Sequence, residues 1–233
     1  MRVLDLCSGV GMFSYGLEKA GFETIAFCEQ DKICQKVLKK HWPDIDIYND
    51  IGEIDGSIQA DIITAGIPCQ PYSRAGYRKG RADNRDLAQE VIRIVADIKP
   101  AWFILENVEG FIDAGLVPLL DDLEEIGYFT QTFSLPSVPF GLPTVERHIW
   151  VIATTDKKRC ERLPDLTFSH LERLQMQFQG SDKRIPDRWH LPESRVCGVR
   201  EGNAGRLDRI RQIGNSIPPQ IPEMFGRIIS ENL

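Results

Sequence analysis

Short apolar runs alternate with amphipathic stretches along the first 155 residues of the chain. The apolar run at residues 3–6 ends in the turn Ser8-Gly9-Val10-Gly11, after which apolar residues recur at helical spacing until Gly21. Asp31 is a suitable N-cap for the helix that follows the next run. The pattern predicts further strands at residues 23–28, 62–65, 102–105, 128–135 and 148–154, and further helices at residues 86–98, 116–126 and 219–229.

Strands that alternate with helices are typical of a doubly wound, mostly parallel sheet with helices on both faces, so we predict the α/β class. The runs at 128–135 and 148–154 are separated only by a loop, which predicts an antiparallel strand at the sheet edge. From residue 156 the periodicity fades. We therefore predict three segments: a main domain over 1–155, a small second region over 156–196, and a return to the main domain over 197–233 with a closing helix.

Composition indicates an ordinary soluble protein. The 233 residues are 42% hydrophobic and 27% charged, and no apolar run approaches the roughly 18 to 20 residues that span a bilayer. The first residues show no signal-peptide pattern, so we expect a cytoplasmic protein. The six cysteines are scattered, without a CxxC pair or tight Cys/His spacing, which favours reduced thiols and no metal site.

Charge is unevenly distributed. The net charge of −6 opposes indiscriminate nucleic-acid binding, yet residues 157–211 hold 13 Lys and Arg against 8 Asp and Glu. A second basic patch consists of Arg74, Arg78, Lys79, Arg81 and Arg85. Two basic stretches on an acidic body could line one phosphate-facing cleft, or they could be solvated surface charge, and the sequence leaves both open.

Residues 65–76 read AGIPCQPYSRAG and hold Cys69 between two prolines. Pro68 and Pro71 each lock a backbone torsion, so the direction of the Cys69 side chain is largely preset. The alternative is that Cys69 is a small buried apolar residue, as many free cysteines are.

Three features are expected at the same rim, because the carboxyl ends of parallel strands meet at one edge of a sheet. They are the turn at residues 5–11, Cys69, and Glu106 at the end of its strand. The glycines would let the backbone approach a cofactor, although a plain tight turn is the alternative. A thiolate that adds to carbon 6 of cytosine activates carbon 5, and a carboxylic acid at nitrogen 3 stabilises the developing charge. A thiol and an acid on one rim suit this reaction.

The ordered set of motifs resembles the DNA (cytosine-5) methyltransferase family, which uses S-adenosylmethionine. The resemblance covers most of the chain and rests on DLCSGVG with Glu29 downstream, NDI at 49–51, GIPCQPYS, ENV at 106–108, the segment around Arg147, and IGNSIPPQ at 213–220. It implies a Rossmann-like methyltransferase fold, a flipped cytosine in duplex DNA, and a target-recognition role for the region over 156–196.

The resemblance also implies roles for individual residues. Catalytic candidates are Cys69, Glu106, Pro68, Asn107, Arg147 and His148. Candidates for binding S-adenosylmethionine are Asp5, Leu6, Cys7, Ser8, Gly9, Gly11, Met12, Phe13, Glu29, Gln30, Asp50, Ile51, Gly66, Pro68, Asn215 and Ser216. DNA-binding candidates are Ser73, Arg74, Arg78, Lys79, Arg81, Arg85, Arg184 and Arg188.

Several positions depart from the family pattern. Cys7 and Gln30 stand where many members have aromatic residues, which makes the adenine pocket less aromatic. The family's Gln-x-Arg-x-Arg signature reads Thr-Val-Glu-Arg-His over residues 144–148, so His148 replaces an arginine expected at the target base, unless Arg147 takes its place through a shifted register.

We therefore predict a monomeric DNA cytosine-5 methyltransferase that works without a metal. Its rivals are an RNA (tRNA) cytosine-5 methyltransferase on the same fold, a non-catalytic DNA-binding or regulatory homologue, and an enzyme acting on free pyrimidine nucleotides. Methylation of duplex DNA against tRNA, and a covalent adduct with 5-fluorocytosine, would separate them. The recognition sequence and the biological role, whether restriction, protection from it or regulation, stay open at this point.

Overall fold

The structure, a computed structural model, describes residues 1–68, 87–136, 147–179 and 217–231. The strands are β1 (Arg2–Leu6), β2 (Glu23–Cys28), β3 (Asp46–Tyr48), β4 (Ile62–Gly66), β5 (Trp102–Val108), β6 (Phe129–Pro136) and β7 (Arg147–Thr154). The α-helices are α1 (Met12–Lys19), α2 (Lys32–His41), α3 (Ala88–Ile98), α4 (Val117–Glu125), α5 (Lys157–Gln179) and α6 (Gln220–Glu231). A 3₁₀ turn at Ile51–Glu53 follows β3, and a π-helical turn at Ile112–Leu116 precedes α4.

The seven strands form one sheet in the order β3-β2-β1-β4-β5-β7-β6. β7 runs antiparallel to both of its neighbours, so the other six strands share one direction. The order reverses between β1 and β4, and the loops that leave these two strands therefore meet at the topological switch point. The predicted doubly wound sheet with an antiparallel pair at its edge is confirmed.

The two faces of the sheet carry separate cores. Phe13 of α1, Trp150 of β7 and Phe225 of α6 belong to the core on one face. Phe103 of β5 and Leu123 of α4 belong to the core on the other face. Because a central parallel strand is covered on both faces, the first four residues of β5 are all fully buried, which explains their unbroken apolar run.

Helices α1 and α6 approach closely because glycine stands at two contact points. A Cβ on Gly16 would lie 2.3 Å from the carbonyl oxygen of Pro219, and a Cβ on Gly226 would lie 2.7 Å from the Cβ of Ala20. Both distances are impossible for real atoms, so only glycine allows this packing. The contact holds the start of α6 against the helix that follows the β1 turn.

Three elements differ from the sequence expectation. The three-residue strand β3 is too short to show a period, and it was not predicted. β5 continues to Val108, so Glu106 and Asn107 lie inside a strand rather than after one. Residues 157–179 form a helix where the periodicity was expected to fade, and this helix contains Pro164.

Helix α5 lies in the small second region that the sequence predicts from residue 156 onward. Its Cys160 and Leu163 are buried, and the helix packs against α6, β6 and β7. The first part of this segment is therefore attached to the main core. The division at 156–196 and 197–233 stays a prediction, since residues 180–216 lie outside the described ranges.

Within the described ranges no helix combines the length and apolarity that crossing a membrane requires. The same part of the chain brings no three His, Cys, Asp or Glu side chains into a group that could hold a metal ion.

Candidate active site

The turn after β1 is built from left-handed backbone conformations. Cys7, Gly9 and Gly11 have φ angles of 51°, 55° and 85°. Gly11 also faces α2, since a Cβ there would lie 2.7 Å from the ring of Trp42. The hydroxyl of Ser8 donates to the carbonyl oxygen of Asp5 at 2.6 Å, which closes the turn on the end of its own strand. The glycines of the motif are thus required by backbone conformation and by close approach.

Glu29 ties this turn to the end of β2. Its Oε2 accepts a hydrogen bond from the backbone N–H of Gly9 at 2.7 Å, and its Oε1 accepts one from the backbone N–H of Asp31, also at 2.7 Å. Burial raises the pKa of the Glu29 carboxyl, although these backbone hydrogen bonds oppose the shift. The backbone N–H of Gln30 also donates to this carboxyl, which leaves at least one of its about four lone-pair sites for a bound ligand.

An open surface pocket lies along the edge strand β3. Asp46, Ile47, Tyr48 and Glu53 line it. The carbonyl oxygen of Tyr48 accepts a hydrogen bond from the backbone N–H of Glu29 at 3.0 Å, so the ends of β2 and β3 are adjacent. Asp50, which follows β3, is exposed and accepts a hydrogen bond from the backbone N–H of Gly52 at 2.8 Å.

Asp5 is fully buried beneath the turn. Its carboxyl accepts hydrogen bonds from Ser14 Oγ at 2.8 Å and from Thr64 Oγ1 at 2.7 Å. Burial raises the pKa of Asp5 to about 7, against the opposing effect of these two hydroxyls. The Asp5 side chain therefore links β1, β4 and the first turn of α1, and its carboxyl holds these elements together beneath the turn.

The side chains of Glu106 and His148 are in contact at the carboxyl end of β5. The Nδ1 atom of His148 contacts Oε1 of Glu106, and both side chains are largely buried, at 14% and 11% exposure respectively. In the antiparallel register Glu106 lies opposite Trp150 and Val108 lies opposite His148. The two partners are diagonal neighbours on one face of the sheet, so the fold brings into contact two residues that are 42 positions apart in the sequence.

Arg147 points away from this pair. Its Nε donates to Ser134 Oγ at 3.1 Å and its Nη2 donates to the Ser134 carbonyl oxygen at 3.0 Å. Successive residues of a strand face opposite sides, so a residue next to His148 cannot also reach Glu106. Among the two candidates for the replaced arginine, His148 is the one that contacts Glu106.

Gly66 at the end of β4 pairs with Glu106 of β5. A Cβ on Gly66 would lie 3.9 Å from Glu106 Oε2 and 3.9 Å from the ring of Phe13. Two residues later stands Pro68, the last described residue before Cys69. Asn107, which is buried, directs its Nδ2 toward the carbonyl oxygen of Ile67 at 3.5 Å. The end of β4 and the Glu106 carboxyl are therefore adjacent.

Three of the described cysteines have thiols that burial makes poor nucleophiles. Burial raises the pKa of the Cys28 thiol to about 12, and burial likewise raises the pKa values of Cys7 and Cys160. Since the thiolate is the reactive form, these three side chains do not offer a nucleophile at neutral pH.

The structure thus gathers most of the described candidates at one end of the sheet. At the turn after β1 are Leu6, Cys7, Ser8, Gly9, Gly11, Met12 and Phe13; after β2 are Glu29 and Gln30; after β3 are Asp50 and Ile51; and at β4, β5 and β7 are Gly66, Pro68, Glu106, Asn107 and His148. Two further described candidates are Asp5, which is buried beneath the turn, and Arg147, which binds Ser134. The other candidates lie outside the described residues: Cys69, Ser73, Arg74, Arg78, Lys79, Arg81, Arg85, Arg184, Arg188, Asn215 and Ser216.

Sequence reasoning missed the side chains that hold Asp5. Ser14 is a polar residue on the buried face of α1, and Thr64 is a polar residue inside an apolar strand. A buried hydroxyl in such a position is a signal for a hydrogen-bond partner, so both could have been found. Tyr48 was also missed, because β3 was not predicted.

Comparison with known proteins supports the family resemblance that the motifs indicate. A family model described as C-5 cytosine-specific DNA methylase matches residues 1–188. The type II methyltransferase M.HgiBI of Herpetosiphon aurantiacus is 33% identical over 164 residues, which are 67% of this chain and 38% of that protein. The type II methyltransferase M.NgoBV of Neisseria gonorrhoeae is 35% identical over 188 residues, 72% of this chain and 43% of that protein. The chain thus matches less than half the length of these relatives.

A solved structure extends the likeness to the whole chain. The S. pombe Dnmt2 methyltransferase superposes with a TM-score of 0.65 over 99% of both chains, at 16% sequence identity. At this identity the similarity is one of fold.

Proposed function

We propose, because the chain belongs to the C-5 cytosine-specific DNA methylase family, that it transfers a methyl group from S-adenosylmethionine to carbon 5 of cytosine in duplex DNA. The observation that carries this proposal is the carboxyl of Glu106, held by His148 with Oε2 over Gly66, three residues before Cys69. Three residues span at most about 11 Å, which supports the proposal that Cys69 acts beside Glu106.

The residues at the β1 turn fit S-adenosylmethionine. Glu29 keeps a lone-pair site for a ribose hydroxyl, and its carboxylate is already oriented by the Gly9 and Asp31 backbone. Tyr48, whose carbonyl oxygen accepts from the Glu29 N–H, offers a ring for an adenine, and Asp50 two residues later offers a hydrogen-bond acceptor. When bound, S-adenosylmethionine supplies an electrophilic methyl group.

The reaction uses one thiol and one acid. The Cys69 thiolate forms a bond from Sγ to carbon 6 of the ring, and the electron pair released from the 5,6 double bond makes carbon 5 nucleophilic. Glu106 gives its proton to nitrogen 3, which neutralises the charge that would build on the ring. Carbon 5 takes the methyl group as the methyl–sulfur bond of the donor breaks, so that S-adenosylhomocysteine leaves with that electron pair, and nitrogen 3 returns its proton to Glu106. A base then removes the carbon 5 proton, and the electron pair of that bond re-forms the 5,6 double bond as the bond from Sγ to carbon 6 breaks and releases the Cys69 thiolate.

The target base must leave the helix to reach these groups, because carbon 5 is enclosed by stacked neighbours. Phosphate contacts from the basic residues at 74–85 and 157–211 would hold the distorted duplex. Binding through phosphate contacts weakens steeply with salt, so DNA affinity is expected to fall as ionic strength rises.

A Cys69→Ser variant tests the nucleophile. We expect methylation of duplex DNA to fall at least about a thousandfold, because a hydroxyl is a far weaker nucleophile than a thiolate, while S-adenosylmethionine binding measured by calorimetry stays within about twofold. Cys160→Ser is the matched control, since the hydroxyl can keep the hydrogen bond to Gln131. DNA containing 5-fluorocytosine should form a covalent adduct with the wild type and the control only.

The rival functions give different outcomes in the same experiments. Methylation of tRNA in preference to duplex DNA would assign the RNA branch of the family. Absence of any adduct would support a non-catalytic DNA-binding homologue. Retained turnover in Cys69→Ser would overturn the mechanism.

A further inference from the structure

We infer that His148 is a positioning residue that holds Glu106 by one carboxyl oxygen and makes the rate of the proposed reaction depend on its own protonation. This inference rests on the proposed function. It starts from the contact between His148 Nδ1 and Glu106 Oε1, which leaves Oε2 as the oxygen that lies toward Gly66 and the end of β4.

The two oxygens of the Glu106 carboxyl have different neighbours. Oε1 contacts Nδ1 of the imidazole, so rotation of the carboxyl about its last torsion would break that contact. Oε2 lies 3.9 Å from where a Gly66 Cβ would be, so it is the oxygen nearer the end of β4. His148 therefore fixes which oxygen faces the proposed site of the base.

The protonation state of His148 changes how well Glu106 gives up its proton. When Glu106 donates to nitrogen 3, it becomes a carboxylate, and a positively charged imidazole next to Oε1 stabilises that charge more than a neutral one does. An arginine at this position, as the family signature has, would be charged at every accessible pH. Imidazole is half protonated near pH 6.5 when unperturbed. With histidine in place of arginine, the positive charge at position 148 therefore depends on the pH.

Within the described ranges, most of the other ionisable side chains at this end of the central strands are hydrogen-bonded elsewhere or exposed. On β1 the Asp5 carboxyl is bound by Ser14 and Thr64, and the Cys7 thiol follows it. On β7 the Arg147 guanidinium binds Ser134. Glu109, beyond the end of β5, is exposed, as is Tyr15 in the first turn of α1, and the residues of β4 carry no ionisable side chain.

The test compares the pH dependence of methylation in wild type, His148→Arg and His148→Asn. His148→Arg restores a permanent charge, and His148→Asn keeps a neutral N–H donor near the position of Nδ1. We expect the ratio of wild-type kcat to His148→Arg kcat to fall about three- to tenfold between about pH 6 and about pH 8. We expect the ratio of His148→Asn to His148→Arg to be low and constant. Because each kcat is divided by the kcat of His148→Arg at the same pH, the pH dependence that Cys69 ionisation gives to every protein cancels.

Arg147→Gln is the matched charge-removal control. Its guanidinium is held on Ser134, so the shape of the pH profile should follow that of the wild type, whatever the effect on the rate. A wild-type ratio that stays constant with pH would overturn the inference while leaving the proposed function intact.

A second measurement needs no catalysis. In a nitrogen-15 NMR titration, replacing Glu106 by Gln should shift the midpoint of the His148 imidazole, because the substitution removes the ionisable group that its Nδ1 contacts. An unchanged midpoint would overturn the inference. Loss of methylation in every protein, with this midpoint shift present, would contradict the proposed function and not the pairing.

Discussion

Replacing Asp5 by Asn should make the protein more stable at alkaline pH, against the usual expectation for a buried polar residue. The folded protein raises the pKa of Asp5 to about 7 from an ordinary value of 3.8, chiefly because the carboxyl is fully buried. The native state therefore holds the proton more tightly than the unfolded chain does. The stability that the neutral acid contributes is fully present below pH 3.8 and is lost as the pH rises through about 7.

The magnitude follows from the two pKa values. A difference of about 3 units corresponds to about 4 kcal/mol between the fully neutral and the fully ionised limits. Between about pH 5.5 and about pH 8 the free energy of unfolding should fall by about 2 kcal/mol from this group alone. Asparagine stays neutral, and it keeps both contacts because its oxygen accepts from one hydroxyl while its amide donates to the other, Ser14 and Thr64 being able to do either.

Urea unfolding followed by tryptophan fluorescence measures the difference at each pH. Subtracting the Asp5→Asn curve from the wild-type curve cancels the other ionisable groups, including Glu29. Asp44→Asn is the control, since Asp44 is exposed and its replacement should leave the pH dependence unchanged. Parallel curves for wild type and Asp5→Asn would refute the reasoning, as would a wild type that gains stability relative to the variant as the pH rises.

Two further substitutions test the packing of α1 and the cofactor site. Gly16→Ala should destabilise the protein by about 1 to 3 kcal/mol, because the added Cβ would lie 2.3 Å from the Pro219 carbonyl oxygen and α6 must move; an unchanged urea midpoint would contradict this. Glu29→Gln should weaken S-adenosylmethionine binding by about ten- to a hundredfold in calorimetry, since the amide loses a charged acceptor for the ribose and its N–H₂ opposes the Gly9 N–H. Glu125→Gln, on an exposed position of α4, should bind as the wild type does, and equal affinity in both variants would remove Glu29 from the site.

The family assignment and the structure account for different parts of the proposed mechanism. The motifs assign the thiol and the acid their chemical roles. The structure adds that the acid is held by an imidazole and that the end of β4 lies beside it. A chain that matches less than half the length of its curated relatives still contains both the turn after β1 and the end of β5.

The amino-acid sequence by itself determined the strands and helices that have a clear period, the glycine turn after β1, and the Asp31 cap, whose carboxylate accepts from the backbone N–H of Ile33 at 2.7 Å. It also determined the family, through the order of motifs such as GIPCQPYS followed by ENV at residues 106–108. These features depend on residues close together in the chain, where side-chain size, backbone torsion and local hydrogen bonding decide the outcome.

Only the tertiary structure decided which side chain meets Glu106 and what surrounds Asp5. The choice of His148 over Arg147 follows from the register between β5 and β7, where a shift of one residue would have turned the other side chain toward the site. The Asp5 carboxyl meets Thr64 because β1 and β4, far apart in sequence, are neighbours in the sheet. Register and strand order are set by the packing of both cores together, which no local pattern contains.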